Sequence, residues 1–223
     1  MHLLRYLTRH TRRSSREIVS LLQRGQILVD GEVVRQPSHP VTRFSKVETD
    51  GKTLPHESAV YLMLHKPVGY VSATVDRQHP TVIDLIDHPQ KGELHLVGRL
   101  DRNTSGLVLL TNDGRWSKQL SDPASNVPKV YLVETNHPIP QTAIEQFACG
   151  FYFPTEDIFT QPADLEILEA TRARLVLYEG RYHQVKRMFH RVGLRVIALH
   201  RERVGSYHLP NDLKAGEWRG VVP

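Results

Sequence analysis

The apolar residues at the start of the chain recur at helical spacing in two separate runs. Those within residues 3–7 predict a short first helix, and those within residues 18–22 predict a second one. Ser14 and Glu17 have the spacing of a capping box just before the second run, and Gly25 lies where a helix commonly ends. The pattern therefore predicts two consecutive helices.

Strand-like runs follow the second predicted helix. Residues 27–29 and 32–34 are rich in Ile, Leu and Val, and Asp30-Gly31 separates them, which is a signal for a two-residue hairpin. We therefore predict that the chain begins with a small unit of helix, helix and hairpin. The helical part of this unit is basic and carries Arg5, Arg9, Arg12, Arg13, Arg16 and Arg24.

Short β-like runs recur from Tyr61 onward, without the regular strand-helix alternation of a doubly wound sheet. This order favours an α+β fold with a mixed or antiparallel sheet and flanking helices. The polar stretch 50–58 predicts a boundary between a first domain at 1–58 and a second at 59–223. Strands are predicted at 61–64, 107–110, 130–133, 175–178 and 195–198, and helices near 115–120, 141–148 and 183–192.

The composition limits the class of protein. With 223 residues, 39% hydrophobic and 24% charged, the chain has the composition of a soluble globular protein. No apolar run approaches the ~20 residues of a membrane span, and the first residues lack the apolar segment of a secretory signal, so we expect a cytoplasmic protein without a membrane partner. Because Cys149 is the single cysteine and no histidines pair at ligand spacing, we expect no metal.

The distribution of charge is more informative than the net charge of +5. Residues 1–60 have a net charge of +4, residues 61–175 of −4, and residues 176–223 of +5. Two separated basic segments are typical of a chain that binds a polyanion at two places. Solvated arginines on ordinary helix faces are the alternative explanation.

One carboxylate lies in a place suited to catalysis. The apolar run 95–97 predicts a strand, and the segment 98–106 separates it from the strand at 107–110, so Asp101 is predicted in a loop between two strands. A loop fixed by a sheet can present a catalytic side chain accurately. When this segment is taken alone, an Asp that bonds to its own turn backbone is the simpler explanation.

The first domain resembles the S4-like RNA-binding module. Ser15-Arg16 matches the opening of that module's second helix, and residues 25–31 match its Gly-x-(Ile/Val)-x-Val-(Asp/Asn)-Gly run. The resemblance implies that this domain binds RNA, with Arg12 and Arg16 as candidate contacts.

The second domain resembles the RsuA family of pseudouridine synthases. Gly98-Arg99-Leu100-Asp101-x-x-Thr104-Ser105-Gly106-Leu107 is similar to that family's catalytic motif. The form His183-Gln184-Val185-Lys186-Arg187-Met188 most resembles the branch that acts on small-subunit ribosomal RNA. His65 stands where the family has an Asn before its Lys-Pro-x-Gly element. Similar segments follow the family's order at 66–69, 129–133, 179–188 and 199–205.

The resemblance implies a reaction and its catalytic residues. The family converts uridine in RNA to pseudouridine, an isomerisation that leaves the electron count unchanged, so no cofactor is expected. Asp101 is implied as the catalytic carboxylate, acting as nucleophile or as base. We expect a cation to keep it ionised, with Arg181 as the first candidate and Lys186 as the second. Tyr131 is the candidate wall on which uracil stacks, although a core position would also explain it.

Further residues are candidates for RNA contacts. A target uridine must leave its base stack, and Arg99 could fill the vacated space or contact the flanking phosphate. A surface Arg at a turn is the alternative for Arg99. Cations of the last predicted helix and strand would contact the RNA backbone. The further candidates for contacts with substrate or RNA are Lys129, His183, Gln184, Lys186, Arg187, Arg201 and Arg203.

The sequence therefore predicts a monomeric two-domain enzyme that forms pseudouridine in ribosomal RNA. The predicted partner is 16S RNA, either naked or in an assembling small subunit. One alternative is an enzyme of the large-subunit (23S) branch. The other is a non-catalytic RNA-binding factor of ribosome assembly, against which Asp101 argues because such a factor would not need this carboxylate.

Overall fold

The computed structural model describes residues 1–223, and the chain divides into two compact units, Met1–Ala59 and Val60–Pro223. No helix in either unit is both long enough and apolar enough to cross a membrane.

The first unit contains two helices and a small antiparallel sheet. Helix α1 spans Leu3–His10, and α2 spans Ser15–Gln23. The predicted capping box forms at the start of α2: Ser14 Oγ accepts from the Glu17 amide, and the Glu17 carboxylate accepts from the Ser14 amide at 2.7 Å. The sheet has the order β2-β1-β3-β4, with β1 Ile27–Val29, β2 Glu32–Val33, β3 Val47–Thr49 and β4 Lys52–Thr53.

The second hairpin of this unit was missing from the prediction. Asp50-Gly51 joins β3 to β4 with positive φ angles of 51° and 71°, as Asp30-Gly31 joins β1 to β2 with 53° and 88°. Positive φ at both central residues is the requirement of a type I′ turn, which Asp-Gly satisfies. The polar stretch 50–58 therefore begins inside a sheet and is not a linker throughout.

The second unit is built on a mixed sheet, which confirms the predicted α+β class. Its main strands have the order β11-β12-β8-β13-β7-β5-β15, while β6 and β14 pair at the side with β7 and β13. The strands are β5 Tyr61–Lys66, β6 His95–Val97, β7 Ser105–Thr111, β8 Lys129–Thr135, β11 Asp164–Glu169, β12 Arg172–Leu177, β13 Val196–Val204, β14 Tyr207–His208 and β15 Trp218–Gly220. The β13–β7 pair is parallel, and the other pairs are antiparallel.

Both faces of the central strands are buried. Leu64 and Val108 pack in a core that includes Phe147 and Phe189, whereas Leu107 packs on the opposite side in a second cluster. Burial on both faces explains why β5 and β7 are continuous apolar runs rather than alternating ones. The flanking helices are α3 Gly114–Ser121, α4 Thr142–Cys149 and α5 Gln184–Arg191, together with 3-10 turns at Val82–Leu85, Lys91–Glu93 and Pro123–Ser125.

Strand β13 is longer than its predicted run. The apolar run predicted only 195–198, whereas the family resemblance implied a basic strand over 199–205. The observed strand continues to Val204, with backbone partners on both β8 and β7. Its second half is charged at Arg201, Glu202 and Arg203, so apolar periodicity could not detect it. The prediction also missed β11, β15 and the small hairpin of β9 Tyr152–Phe153 and β10 Ile158–Phe159.

Candidate active site

A cavity of about 650 Å³ brings together most of the predicted site residues. Its walls come from the loop between β6 and β7, the inner face of β8 and β13, and the turn between β12 and α5. The candidate residues that line it are Arg99, Asp101, Lys129, Tyr131, Arg181, His183, Gln184, Lys186 and Arg201.

The loop that carries Asp101 is fixed on both sides of the carboxylate. Ser72 Oγ donates to the Leu100 carbonyl at 2.8 Å and accepts from the Leu100 amide at 3.0 Å. After Asp101, the Thr104 amide donates to the Asp101 carbonyl at 3.0 Å. The backbone around the carboxylate is therefore bonded both to its own turn and to a neighbouring segment.

Lys66 anchors the same loop from the end of β5. Its ammonium is completely buried and donates to the carbonyl oxygens of Pro67 at 3.0 Å, Arg102 at 3.3 Å and Thr104 at 2.7 Å. Burial lowers the pKa of Lys66 to about 8, against the opposing effect of the Asp101 charge. Three carbonyl dipoles take the place of water around this cation, and they connect β5 to the loop that carries Asp101.

The ion pair of Asp101 is made by Lys186 and not by Arg181. Lys186 Nζ lies 2.8 Å from Asp101 Oδ2, and His183 Nε2 lies 3.4 Å from Asp101 Oδ1. Both residues belong to the start of α5, where His183 has a left-handed φ of 48°. The prediction of Arg181 as the partner is wrong in this structure, and the second candidate, Lys186, has that place.

Arg181 forms its ion pair with a buried carboxylate, that of Glu179. Glu179 is 4% exposed, and its Oε2 accepts from Arg181 Nε at 2.9 Å. Its Oε1 accepts from Gln184 Nε2 at 2.7 Å and from the Gln161 amide at 2.9 Å. The Gln184 side-chain oxygen accepts in turn from the Arg181 amide at 2.9 Å. Gln184 was predicted to contact substrate, but its side-chain amide bonds to Glu179 and Arg181 within the turn and so orients the start of α5.

Three predicted residues lie on the inner face of β8 and β13. Tyr131 is buried in the core but also lines the cavity, and Lys129 lies two residues before it on β8. Arg201 was predicted to contact the RNA backbone, but it is 3% exposed and lines the cavity, so a bound nucleotide could reach it only from inside. Arg201 Nε donates to the Leu107 carbonyl at 2.8 Å, and Nη1 donates to the Arg99 carbonyl at 3.4 Å.

Arg187 faces a different groove. Its guanidinium makes two 2.7 Å bonds to the Glu156 carboxylate and lies 3.7 Å over the Phe153 ring. This groove has a volume of about 580 Å³ and shares His183 and Lys186 with the catalytic cavity. Its other lining residues are Phe153, Pro154, Thr155, Arg187, His190, Arg191, Leu194, Arg195 and Val196.

The remaining candidates lie outside both cavities. Arg203 is half-buried on β13, and its Nε is buried without a hydrogen-bond partner. Arg12 lies in the segment between α1 and α2, and Arg16 lies in the first turn of α2. Both of these first-unit arginines are exposed.

A family model described as RNA pseudouridylate synthase matches residues 60–191 of this chain. The chain belongs to this family. The predicted resemblance to pseudouridine synthases is thereby confirmed, whereas the S4-like character of the first domain stays a prediction. The matched region contains the whole Asp101 loop, Tyr131, and α5 with Lys186.

Whole-length relatives agree with the family assignment. A protein of Pseudomonas aeruginosa named ribosomal small subunit pseudouridine synthase A is 50% identical, covering 98% of this chain and 96% of the relative. Proteins of the same name from Yersinia pestis and Escherichia coli K12 are 43% and 45% identical, covering 100% and 93% of this chain and 95% and 91% of theirs. A solved pseudouridylate synthase has a TM-score of 0.72 at 34% identity, covering 100% of this chain and 96% of that one.

Two residues of this pseudouridine synthase's site were missing from the prediction. Lys66 and Glu179 both lie in segments that carried the family resemblance, but neither was assigned a role. The available signal was their type: a Lys at the end of an apolar strand and a Glu before a Gly turn are both expensive to bury without partners. Lys66 bonds to the loop of Asp101 and Glu179 bonds to the start of α5, so both residues fix walls of the cavity.

Proposed function

We propose that this synthase isomerises a uridine of 16S ribosomal RNA to pseudouridine, with Asp101 as its catalytic carboxylate. The observation that carries the proposal is the placement of Asp101, 2.8 Å from Lys186 Nζ, in a cavity that Tyr131 also lines. The small-subunit substrate is supported by the names of the relatives that match nearly the whole chain.

The reaction requires the bond between ribose C1′ and uracil N1 to break and a bond between C1′ and C5 to form. The proton on C5 is lost and N1 gains one, so the product is an isomer of the substrate. Asp101 acts as nucleophile or as base, and both roles need the ionised carboxylate that Lys186 stabilises. The Tyr131 ring supplies an apolar wall for the base.

RNA contacts of the second domain are proposed at the exposed cations near the cavity. Arg99 and Arg181 are exposed at its lining, and His183 lies beside Asp101. Arg187 and Arg203 do not line this cavity, so their proposed contacts with the RNA backbone lie outside it. Lys129 contacts the bound nucleotide from inside.

We also propose that residues 1–58 form an S4-like RNA-binding domain and residues 59–223 the catalytic domain. The order of helices and hairpins and the exposed Arg12 and Arg16 support an RNA-binding role for the first. We further propose that the protein is a cytoplasmic monomer, and its ribosomal RNA substrate class supports the cytoplasmic location.

The test uses 16S RNA that contains 5-tritiated uridine. We expect the wild-type protein to release tritium and Asp101→Asn to release none, while both bind the RNA with equal affinity. Asp87→Asn is the matched control, because Asp87 is an exposed aspartate that does not line the cavity. Release by Asp101→Asn at the wild-type rate would refute the catalytic assignment.

The choice between subunits is tested separately. The same protein is incubated with 16S and 23S RNA, and pseudouridine is mapped in each product. We expect a single modified position in the 16S RNA. Modification confined to the 23S RNA would replace the proposed substrate with the large-subunit alternative.

A further inference from the structure

Two cations inside the catalytic cavity have no carboxylate partner. Lys129 is 9% exposed and Arg201 is 3% exposed, and both line the cavity. The nearby carboxylates are already paired, Asp101 with Lys186 and Glu179 with Arg181. The cavity therefore contains more positive charge than its own acids neutralise.

Backbone bonds account for only part of this arrangement. Arg201 uses Nε and Nη1 on backbone carbonyls, but its buried Nη2 has no hydrogen-bond partner. Burial and the Arg201 charge both lower the pKa of Lys129 and so disfavour its charged form. A buried cation without a partner is costly, and an anion or a carbonyl oxygen of a ligand would remove that cost.

The strand register places both cations beside the proposed base-stacking residue. Arg201 is directly opposite Tyr131 in the β13–β8 pair, and Lys129 is two residues from Tyr131 on β8. Side chains opposite one another in an antiparallel pair, and those two residues apart on one strand, share a face of the sheet. A base stacked on Tyr131 would therefore direct an edge toward Lys129 and Arg201.

The burial of the pair favours the base edge over a phosphate as its ligand. A phosphate at Lys129 would have to lose nearly all of its water, whereas Arg99 and Arg181 offer exposed cations at the same cavity. The uracil ring must enter the cavity for the reaction to occur, and it carries carbonyl oxygens at two of its edges.

We propose that Lys129 and Arg201 stabilise the negative charge that develops on uracil when the C1′–N1 bond breaks. This inference rests on the proposed roles of Asp101 and Tyr131. The electron pair of the broken bond stays with the base, where it is shared between N1 and the carbonyl oxygens. N–H donors of Lys129 and Arg201 bind an oxygen of this anion. The charge disappears when C5 bonds to C1′, the C5 proton leaves and N1 is protonated, so no further reagent is needed. Fixed donors in a dry site are an effective way to stabilise such a charge.

The experiment separates the rate of the chemical step from RNA binding. Single-turnover tritium release at saturating RNA is compared with the Kd for the same RNA in wild type, Lys129→Met, Lys129→Arg and the control Lys118→Met, an exposed lysine on α3. We expect Lys129→Met to lower the rate about 100-fold, the usual effect of losing one donor to a developing anion, with unchanged Kd and salt dependence. Lys129→Arg should recover part of the rate, because it restores the charge.

Two results would overturn the inference. An unchanged rate in Lys129→Met would show that the pair has no part in the chemistry, and a weaker Kd with an unchanged rate would make Lys129 a phosphate contact. Circular dichroism of each variant shows whether it is folded, and Arg201→Lys provides a second test, with a slower rate at unchanged Kd expected. If Asp101→Asn loses activity while Lys129→Met keeps the wild-type rate, this inference alone is refuted. Full activity of Asp101→Asn would instead refute the proposed function.

Discussion

Lys186 Nζ lies 2.8 Å from Asp101 Oδ2, although the two residues belong to a loop and a helix that are 85 positions apart in the chain. Both side chains are about one-third exposed, at 33% and 28%, so the pair contributes little to the free energy of unfolding. Its importance is for orientation, because it fixes the carboxylate toward the start of α5.

We predict that Lys186→Gln lowers the single-turnover rate about 100-fold, since small displacements of a catalytic group have effects of this size. Arg181→Gln should lower it much less, because Arg181 pairs with Glu179 and not with Asp101. Both variants remove one charge from the same cavity, so they control for each other. The larger loss in Arg181→Gln would mean that Arg181 replaces Lys186 at Asp101 when RNA is bound.

The pairing of Asp101 with Lys186 rather than Arg181 could not be predicted from the sequence. The motifs placed Asp101, Arg181 and Lys186 correctly in one site, because each lies in a contiguous segment that can be read directly. Which cation pairs with Asp101 depends on Glu179, a buried carboxylate that forms an ion pair with Arg181. It also depends on His183, the left-handed residue at the start of α5. Neither fact has a signal in local periodicity.

Apolar periodicity predicted the central apolar strands of the fold but not the charged half of β13. The central residues of β7, 107–110, are all apolar because both faces of this strand are buried, and the strand was predicted from this property. The second half of β13 has three consecutive charged residues at 201–203, and the register shifts between Arg201 and Arg203. Simple alternation therefore could not show that Arg201 faces the core. The missed Asp50-Gly51 hairpin is different, because its signal was the same as that of Asp30-Gly31.

The pKa of Lys66 predicts an alkaline limit to activity. Below about pH 8 its ammonium donates to three carbonyl oxygens of the catalytic loop and its surroundings, and the neutral amine cannot satisfy all three. We expect the single-turnover rate to fall as the pH rises through about 8, and Lys66→Arg, if folded, to move this limit upward because Arg stays charged. An unmoved limit would assign it to another group.

The sign of the linkage separates this limit from unfolding. The pKa of Lys66 is lower in the folded protein than its usual 10.5, so the unfolded chain binds more protons between these values. This residue's contribution to the free energy of unfolding therefore increases as the pH rises from about 8 to 10.5. Tryptophan fluorescence during urea unfolding at pH 7 and 9 measures the stability, and we expect no loss that could explain the lower rate.

Gly106 is predicted to tolerate no side chain. It has a φ of 113°, and a Cβ atom there would overlap the backbone of Arg201 on the paired strand β13. Backbone in the centre of a sheet cannot move aside, so Gly106→Ala should lower the free energy of unfolding by about 3 kcal/mol. Gly114→Ala is the control, because no atom lies near its Cβ position and its φ is not positive; we expect a change below about 1 kcal/mol.

Urea unfolding followed by tryptophan fluorescence is the measurement for both glycine variants. Trp116 and Trp218 both belong to the second unit, and the chain has two tryptophans, so the signal reports on that unit alone. Equal midpoints for Gly106→Ala and wild type would contradict the close approach of β7 and β13.

The exposed arginines near the start of α2 give a test of the first unit. If Arg12 and Arg16 each contact a phosphate, the double variant Arg12→Gln/Arg16→Gln loses the release of the corresponding counterions. The slope of log affinity against log salt should then become shallower by about 0.7 to 0.9 for each contact. Arg35→Gln/Lys52→Gln removes the same charge from exposed positions after β2 and on β4 of the same unit. Since net charge changes equally in both, an equal effect would indicate diffuse attraction. A shallower slope in the first variant alone would identify the α2 face as the RNA-binding surface.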